Sequence, residues 1–298
     1  MTENRKLTDP RTMFYSDSFE KQDQEAPALQ QKMTPVPDCG ESTYQGHEKL
    51  LNRRAFVTGG DSGIGRAAAI AYAKEGADVA IQYLPGEEAD AQEVKTAIEN
   101  EGRKALLLPY DFRDEDGIDG LIDQVVDELG GLDILVLNAA QQLSRKKITE
   151  LDIQQVKDTF LVNIVAMFAL VKAAKPHLKP GSAIITTTSV QGFNPSVHLM
   201  DYAASKAAIS NFTINLAQEL GEDGIRVNGV APGPIWTPLQ LDRGQPQDAI
   251  PEFGQDSLLK RAGQPVELAP VYTFLASDDA SYVTGQIYGV TGGEPINL

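Results

Sequence analysis

From Arg54 onward the chain alternates between short apolar runs and longer amphipathic stretches. The apolar runs are "AFVTG" (55–59), "DVAIQY" (78–83), "ALLLPY" (105–110), "DILVLN" (133–138), "AIITTTS" (183–189), "IRVNGVAPG" (225–233) and "QIYGVTGG" (286–293). They have strand length and little polar alternation, the pattern of strands buried on both faces. The stretches between them, near 64–75, 87–100, 115–129, 152–178, 201–220 and 266–277, read as helices. Strands and helices in turn predict βαβ units around a parallel sheet. Right-handed crossovers then lay helices on both faces, giving a three-layer, doubly wound α/β domain. Ligands bind beyond the carboxyl ends of the strands in such a domain, so its chemistry is expected there.

Residues 1–48 break the pattern. "EKQDQEAPALQQKMTPVPDCGE" is rich in Gln, Pro and acid and cannot bury enough surface to fold alone. The division is an extended arm over 1–48 without independent fold and one domain over 49–298. The arm's composition fits a disordered tail, or an extended segment laid over its own domain or a neighbouring subunit. Pro35, Pro37 and the scattered Met and aromatic residues favour the extended form. Wrapping of a neighbouring subunit is the specific expectation.

Charge and composition narrow the function. With 26 basic and 42 acidic residues the net charge is −16, which repels nucleic acid and anionic membrane. No apolar run approaches the roughly 20 residues that span a bilayer, and "MTENRKLTDP" lacks the apolar core of a secretion signal. A single cysteine, Cys39, excludes an intramolecular disulfide and fits a reduced, cytoplasmic protein.

Two motifs carry chemistry. "TGGDSGIGRAAAIAYAKEG" (58–76) sets Gly59, Gly63 and Gly65 where the first strand turns into the first helix. There glycine permits a tight turn and lets backbone N–H groups and a helix N-terminus approach a pyrophosphate. The second motif is "DYAASKAAISNF" (201–212), which puts Tyr202 and Lys206 one helical turn apart among small residues. A free phenol has a pKa of roughly 10, too high for an efficient base near neutrality. A neighbouring ammonium is expected to lower it, fitting Tyr202 to relay a proton to or from a substrate oxygen. A hydroxyl at Ser189, on the carboxyl edge of its strand, can stabilise charge on that oxygen or simply satisfy local backbone. Asn163 sits oddly inside a long helix with apolar flanks, where its propensity is poor.

These motifs, with "LNAA" (137–140), "VNIVAMF" (162–168), "TTTSV" (186–190) and "VAPGPIWT" (230–237), resemble the short-chain dehydrogenase/reductase family from Ala55 to the C-terminus. The likeness is greatest to its long-N-terminus branch of bacterial aldehyde reductases and stress-associated oxidoreductases. It implies a Rossmann fold and a catalytic set of Asn163, Ser189, Tyr202 and Lys206, with Asn163 holding a water and Lys206 also bonding the cofactor ribose. It further implies a dinucleotide on Gly59, Asp61, Ser62, Gly63, Ile64 and Gly65 of the turn, and on Tyr83, Asp111 and Phe112 at the next strand ends. Asn138, Ala139, Pro232, Gly233, Ile235 and Thr237 complete that set. Asp111 reads equally well as a helix N-cap. Leu137 and Ala140 depart from the family's "NNAG", leaving the backbone spacing around the ribose open.

Cofactor choice between NAD and NADP is undecided. The second strand ends at Tyr83 without a carboxylate to bind a ribose 2′-hydroxyl, which leans toward NADP. Yet no Arg or Lys occupies Ser62 or positions 84–86 to attract a phosphate, and Arg66 is the nearest cation. Gln191, Phe193, His198, Trp236 and Leu239 are substrate-side candidates, the last two opening a weakly patterned segment to about Gln264 that suits a lid. Three histidines without partners at ligand spacing make no metal site. The expected function is an NAD(P)-dependent reductase of small aldehydes or ketones, a homotetramer as family members commonly are. A polyol or glucose-type dehydrogenase and a non-catalytic nucleotide sensor are the alternatives.

Overall fold

A computed structural model describes residues 7–114 and 116–296. Residues 1–6 of the expected arm and the first residue of the helix expected at 115–129 lie outside them. Seven strands, β1 (Arg54–Thr58), β2 (Asp78–Tyr83), β3 (Ala105–Pro109), β4 (Ile134–Leu137), β5 (Ala183–Thr187), β6 (Arg226–Pro232) and β7 (Ile287–Val290), form one parallel sheet in the order β3-β2-β1-β4-β5-β6-β7. The order reverses between β1 and β4, where Val57 pairs with Val136, and that reversal opens a crevice at their carboxyl ends.

Helices α1 (Gly63–Lys74), α2 (Glu88–Asn100) and α7 (Ala269–Ala276) cover one face, burying Ala68, Ala69, Tyr72, Val94, Ile98 and Tyr272 against the strands. On the other face lie α3 (Ile118–Leu129), α4 (Ile153–Phe160), α5 (Ala166–Ala174) and α6 (Met200–Leu220), with Ile122, Met167, Leu170 and Ile209 buried there. The helix expected over 152–178 is interrupted by a π-turn at Leu161–Val165, and that turn holds Asn163. Such one-turn widenings often re-aim a side chain at a functional site.

Residues 7–48 are docked along the chain's own domain. Phe19 of the arm stacks on Trp236 with ring centroids 3.8 Å apart, and the Trp236 indole Nε1–H donates to the Pro35 carbonyl at 2.8 Å. Ala28 and Met33 close the same cluster over Leu241, Ile250 and Ala262. The expected lid is thus pinned by a strap. No helix among the described residues is long and apolar enough to cross a membrane.

Candidate active site

A cleft of about 810 Å³ runs along the carboxyl ends of β1, β2, β4, β5 and β6, within the size range of small-molecule sites. At one end is the glycine turn. Gly59 and Gly63 take φ of +60° and +51°, a region costly for residues with a side chain. A Cβ on Gly65 would lie 1.9 Å from the Gly59 carbonyl oxygen, so glycine there is what lets α1 pack against the turn. A Cβ on Gly63 would meet the Thr237 side chain at 2.9 Å, which keeps the loop after β6 against the turn. The arm reaches the same point: the Gly63 N–H donates to Gln30 Oε1 at 2.8 Å.

Polar strand ends brace the floor. Asn138 donates from Nδ2 to the carbonyls of Thr58 and Gly59, both at 3.1 Å, and accepts from the Thr187 hydroxyl at 3.1 Å. Gln82 accepts from the Gly59 N–H at 2.9 Å and donates to the Tyr110 carbonyl at 2.6 Å. Gln82 was missed in the sequence, although a glutamine inside an otherwise apolar buried strand is a visible signal. Leu137, where the resembled family has Asn, is simply core.

At the other end Ser189, Tyr202 and Lys206 meet on the cleft wall. Ser189 opens a short turn, accepting the Gln191 N–H on its hydroxyl at 3.1 Å, and the same side chain stands close enough to Tyr202 to pull its pKa down. Ser189 thus satisfies local backbone while its hydroxyl also faces the cleft. The Lys206 ammonium lies 5.3 Å from the Tyr202 ring centroid and donates to the Thr187 carbonyl at 2.8 Å. Burial pushes the Tyr202 phenol up to about 12, against a smaller lowering by Ser189. Burial likewise brings Lys206 down to about 7. Instead of the expected acidification by Lys206, burial dominates in the free protein: both groups are dry, and desolvation favours the neutral form of each.

Asn163 is fully buried behind this wall. It accepts the Gln141 N–H at 2.7 Å and donates to the Gln141 carbonyl at 3.0 Å and to Ser205 Oγ at 2.9 Å. Both amide hydrogens go to protein, so Asn163 clamps the loop after β4 to α6.

Of the other candidates, Asp61, Ser62, Ile64, Asp111, Phe112, Ala139, Pro232, Gly233, Ile235 and Thr237 line the cleft. Asp111 is no helix N-cap, since α3 starts at Ile118 after Gly117; its carboxylate is held by Arg113, which lowers its pKa. Tyr83 is buried and does not line the cleft, because the alternation along β2 gives that place to Gln82 and Leu84. Gln191 and Leu239 reach the substrate end, whereas Phe193 and the exposed His198 do not line it. Trp236 is a clear correction: it is fully buried under Phe19, so it touches no substrate.

The second-strand reading also changes. Two carboxylates, Asp61 and Glu87, line the cleft beyond β2, and Arg66 is engaged by Glu41 at 2.8 Å and Glu93 at 3.0 Å. Glu87 lies past the strand end on a turn, which a count along the strand could not place.

Comparison with known proteins agrees with this architecture. A family model described as "Enoyl-(Acyl carrier protein) reductase" matches residues 59–294. The oxidoreductase YhxD of Bacillus subtilis (strain 168) is 59% identical over 97% of this chain and 98% of its own length. "NADPH-dependent aldehyde reductase 1, chloroplastic" of Arabidopsis thaliana is 43% identical over 93% of this chain and 99% of its own. A short chain dehydrogenase from Burkholderia cenocepacia J2315, solved in complex with NADP, superposes with a TM-score of 0.77 at 34% identity, covering 83% of this chain and 99% of that one.

Proposed function

The chain belongs to the short-chain dehydrogenase/reductase family of oxidoreductases, and from that premise we propose that it is an NAD(P)-dependent reductase of small aldehydes and ketones with Tyr202 as proton donor. One observation carries the proposal: a phenol, a hydroxyl and an amine converge at one end of a cleft whose other end is a glycine turn at a helix N-terminus. The glycine positions fit a dinucleotide, because side chains there would fill the cradle or collide with its walls. Bound there, the dinucleotide supplies the hydride.

The residues of this chain supply the rest. With the N–H groups of Gly59 and Gly63 held by Gln82 and Gln30, the first turn of α1 gives the positively polarised backbone for a pyrophosphate, and the glycines let it approach closely. Asn138 and Gln82 fix the turn from below. A carbonyl oxygen seated between Ser189 and Tyr202 accepts from both hydroxyls, which polarises its carbon. Tyr202 is protonated at neutral pH because burial holds its pKa at about 12, so it starts as a donor and passes its proton to the developing alkoxide. Lys206 is half-charged near neutrality, and an anionic ligand beside it favours its ammonium form, which then stabilises the phenolate left behind.

The decisive experiment is Tyr202→Phe. Carbonyl-dependent loss of nicotinamide absorbance should fall about 100- to 10,000-fold, the range for removing a general acid, while dinucleotide affinity is retained. Turnover within a few-fold of wild type refutes the assignment. Short aldehydes, ketones and sugar alcohols assayed in both directions test the substrate class. A homotetramer and a cytoplasmic location complete the proposal. The exposed Val165 and Phe168 and the Ile214 side chain of α6 support an oligomer, measurable by sedimentation.

A further inference from the structure

Asp201 is an acid that the proposed chemistry leaves idle. It is 4% exposed, precedes Tyr202 in the first turn of α6, and does not line the cleft. Burying an acid in such a place is costly unless hydrogen-bond donors meet it. Two do. Asp201 Oδ2 accepts from the Thr159 hydroxyl at 2.8 Å and from Gln155 Nε2 at 3.0 Å, both on α4. Each donor is itself buried.

The bonds continue beyond α4. The Thr159 hydroxyl gives its one hydrogen to Asp201, which leaves its lone pairs to accept Gln141 Nε2 at 3.0 Å. Gln141 belongs to the loop after β4 and lines the cleft. Its backbone N–H and carbonyl are clamped by Asn163, which also donates to Ser205 Oγ. Ser205 donates in turn to the Tyr202 carbonyl at 2.7 Å. Starting from Asp201, the path crosses α4, the cleft wall and the π-turn and returns to the next residue of α6. In a closed ring of this kind every bond restricts two members, so the positions of all are set together.

Position matters because the start of α6 has no cap. Leu199 at its N-cap makes no side-chain hydrogen bond to the first turn, and Tyr202 is only the third residue of the helix. A first turn without a capping side chain leaves its N–H groups without partners from the helix itself. A phenol carried on a loose turn moves with it. A misplacement of about 1 Å can cost on the order of a hundredfold in rate where reacting groups must meet.

We propose that Asp201 is a positioning residue for the reduction: by accepting from Thr159 and Gln155 it anchors the first turn of α6, and so keeps Tyr202 beside Ser189 and the Gln141 loop against the cleft. The inference rests on Tyr202 as the proton donor. Asp201 acts by accepting hydrogen bonds, and both fall on Oδ2, so a carboxamide oxygen can replace it.

The test compares Asp201→Asn, Asp201→Ala and Thr159→Val in the full-length protein, with Tyr202→Phe as the reference for lost proton transfer. Each is assayed for kcat and KM with a short aldehyde, for NADH and NADPH affinity, and for the solvent deuterium isotope effect on kcat. Asp201→Ala should lower kcat about 10- to 100-fold with dinucleotide affinity within about threefold of wild type. Thr159→Val, which removes one bond and nearly keeps the shape, should lower kcat in the same way and carries the comparison if the alanine variant does not fold. In both, the isotope effect should rise, because a misplaced phenol slows proton transfer relative to the other steps. A variant that merely folds less completely loses active molecules and leaves that ratio unchanged. Asp201→Asn should keep kcat within about threefold of wild type. Wild-type kcat in Asp201→Ala overturns the inference, as does a lowered kcat with an unchanged isotope effect, or an asparagine variant as slow as the alanine one. Turnover by Tyr202→Phe near the wild-type rate overturns the proton-donor reading itself, whereas a fast Asp201→Ala beside an inactive Tyr202→Phe removes only the positioning role.

Discussion

Lys206 is expected to be a strong destabilising element in the free protein. It is 1% exposed, its Nζ has one protein partner, and burial brings its pKa from 10.5 to about 7. Between those two values the unfolded chain carries a proton that the folded chain lacks, so stability attributable to this residue rises with pH across the window. Below about 7 both states are protonated and the full burial cost applies. Integrating over the shift gives a cost of about 4 kcal/mol at pH 7 and about 2 kcal/mol at pH 9.

Lys206→Met keeps the length of the side chain and removes the charge. It also strips the Thr187 carbonyl of its donor, which costs about 2 kcal/mol. The net expectation is a variant more stable than wild type by about 2 kcal/mol at pH 7 and about equal to it at pH 9. Urea unfolding of both proteins at the two pH values, without dinucleotide, measures the difference. Dinucleotide is excluded because binding to the native state alone would shift the wild type. A gap that does not change with pH would refute the claim that a dry lysine titrates near neutrality here, whatever the sign of the gap.

Four further outcomes follow from the same geometry. Dinucleotide binding at pH 8 should take up a fraction of a proton, because an anion in the cleft raises the Lys206 pKa; calorimetry in buffers of different ionisation enthalpy reads that number, and zero uptake counts against it. Gly65→Ala should abolish dinucleotide binding or folding, since its Cβ would fall on the Gly59 carbonyl oxygen; wild-type affinity would show the turn to be looser than described. Trp236→Ala should cost about 3–5 kcal/mol in chemical denaturation, as for a large buried aromatic, and a loss under 1 kcal/mol would mean the strap does not hold it. Removing residues 1–48 should lower the melting temperature and weaken dinucleotide affinity together, and an unchanged melting profile would contradict the docking of the arm.

The sheet was legible because the strands are short, mainly apolar runs and the crossovers between them contain helices. A sheet buried on both faces leaves little alternative for "DILVL" or "AIITT". Tyr202, Lys206 and Ser189 were legible for a related reason: helical spacing and a strand end are local facts. Glu87, Gln82 and Trp236 were not. Where Glu87 points depends on the turn after β2, and Gln82 shows its role only once Gly59 stands beside it. Trp236 was misread because a tryptophan opening a weakly patterned segment suits a ligand pocket equally well. Only its partner, Phe19, more than two hundred residues earlier, removes it from the cleft.

That partner shows why composition misjudges the arm. Residues 7–48 hold too few apolar side chains for a core of their own, and a disorder criterion based on composition sees only that shortage. The segment after β6 has the opposite problem, with Trp236, Leu241 and Ile250 buried but few neighbours of its own to cover them. Each sequence alone looks unfoldable, and together they close one apolar cluster. The ordering cost of the arm is met by surface that another part of the chain has already gathered. It is placed there with consequences for chemistry, because the same strap carries Gln30 to the Gly63 N–H and Ala26–Ala28 to the cleft wall. Stability and the shape of the nucleotide end are therefore coupled through residues that no strand or helix pattern would single out.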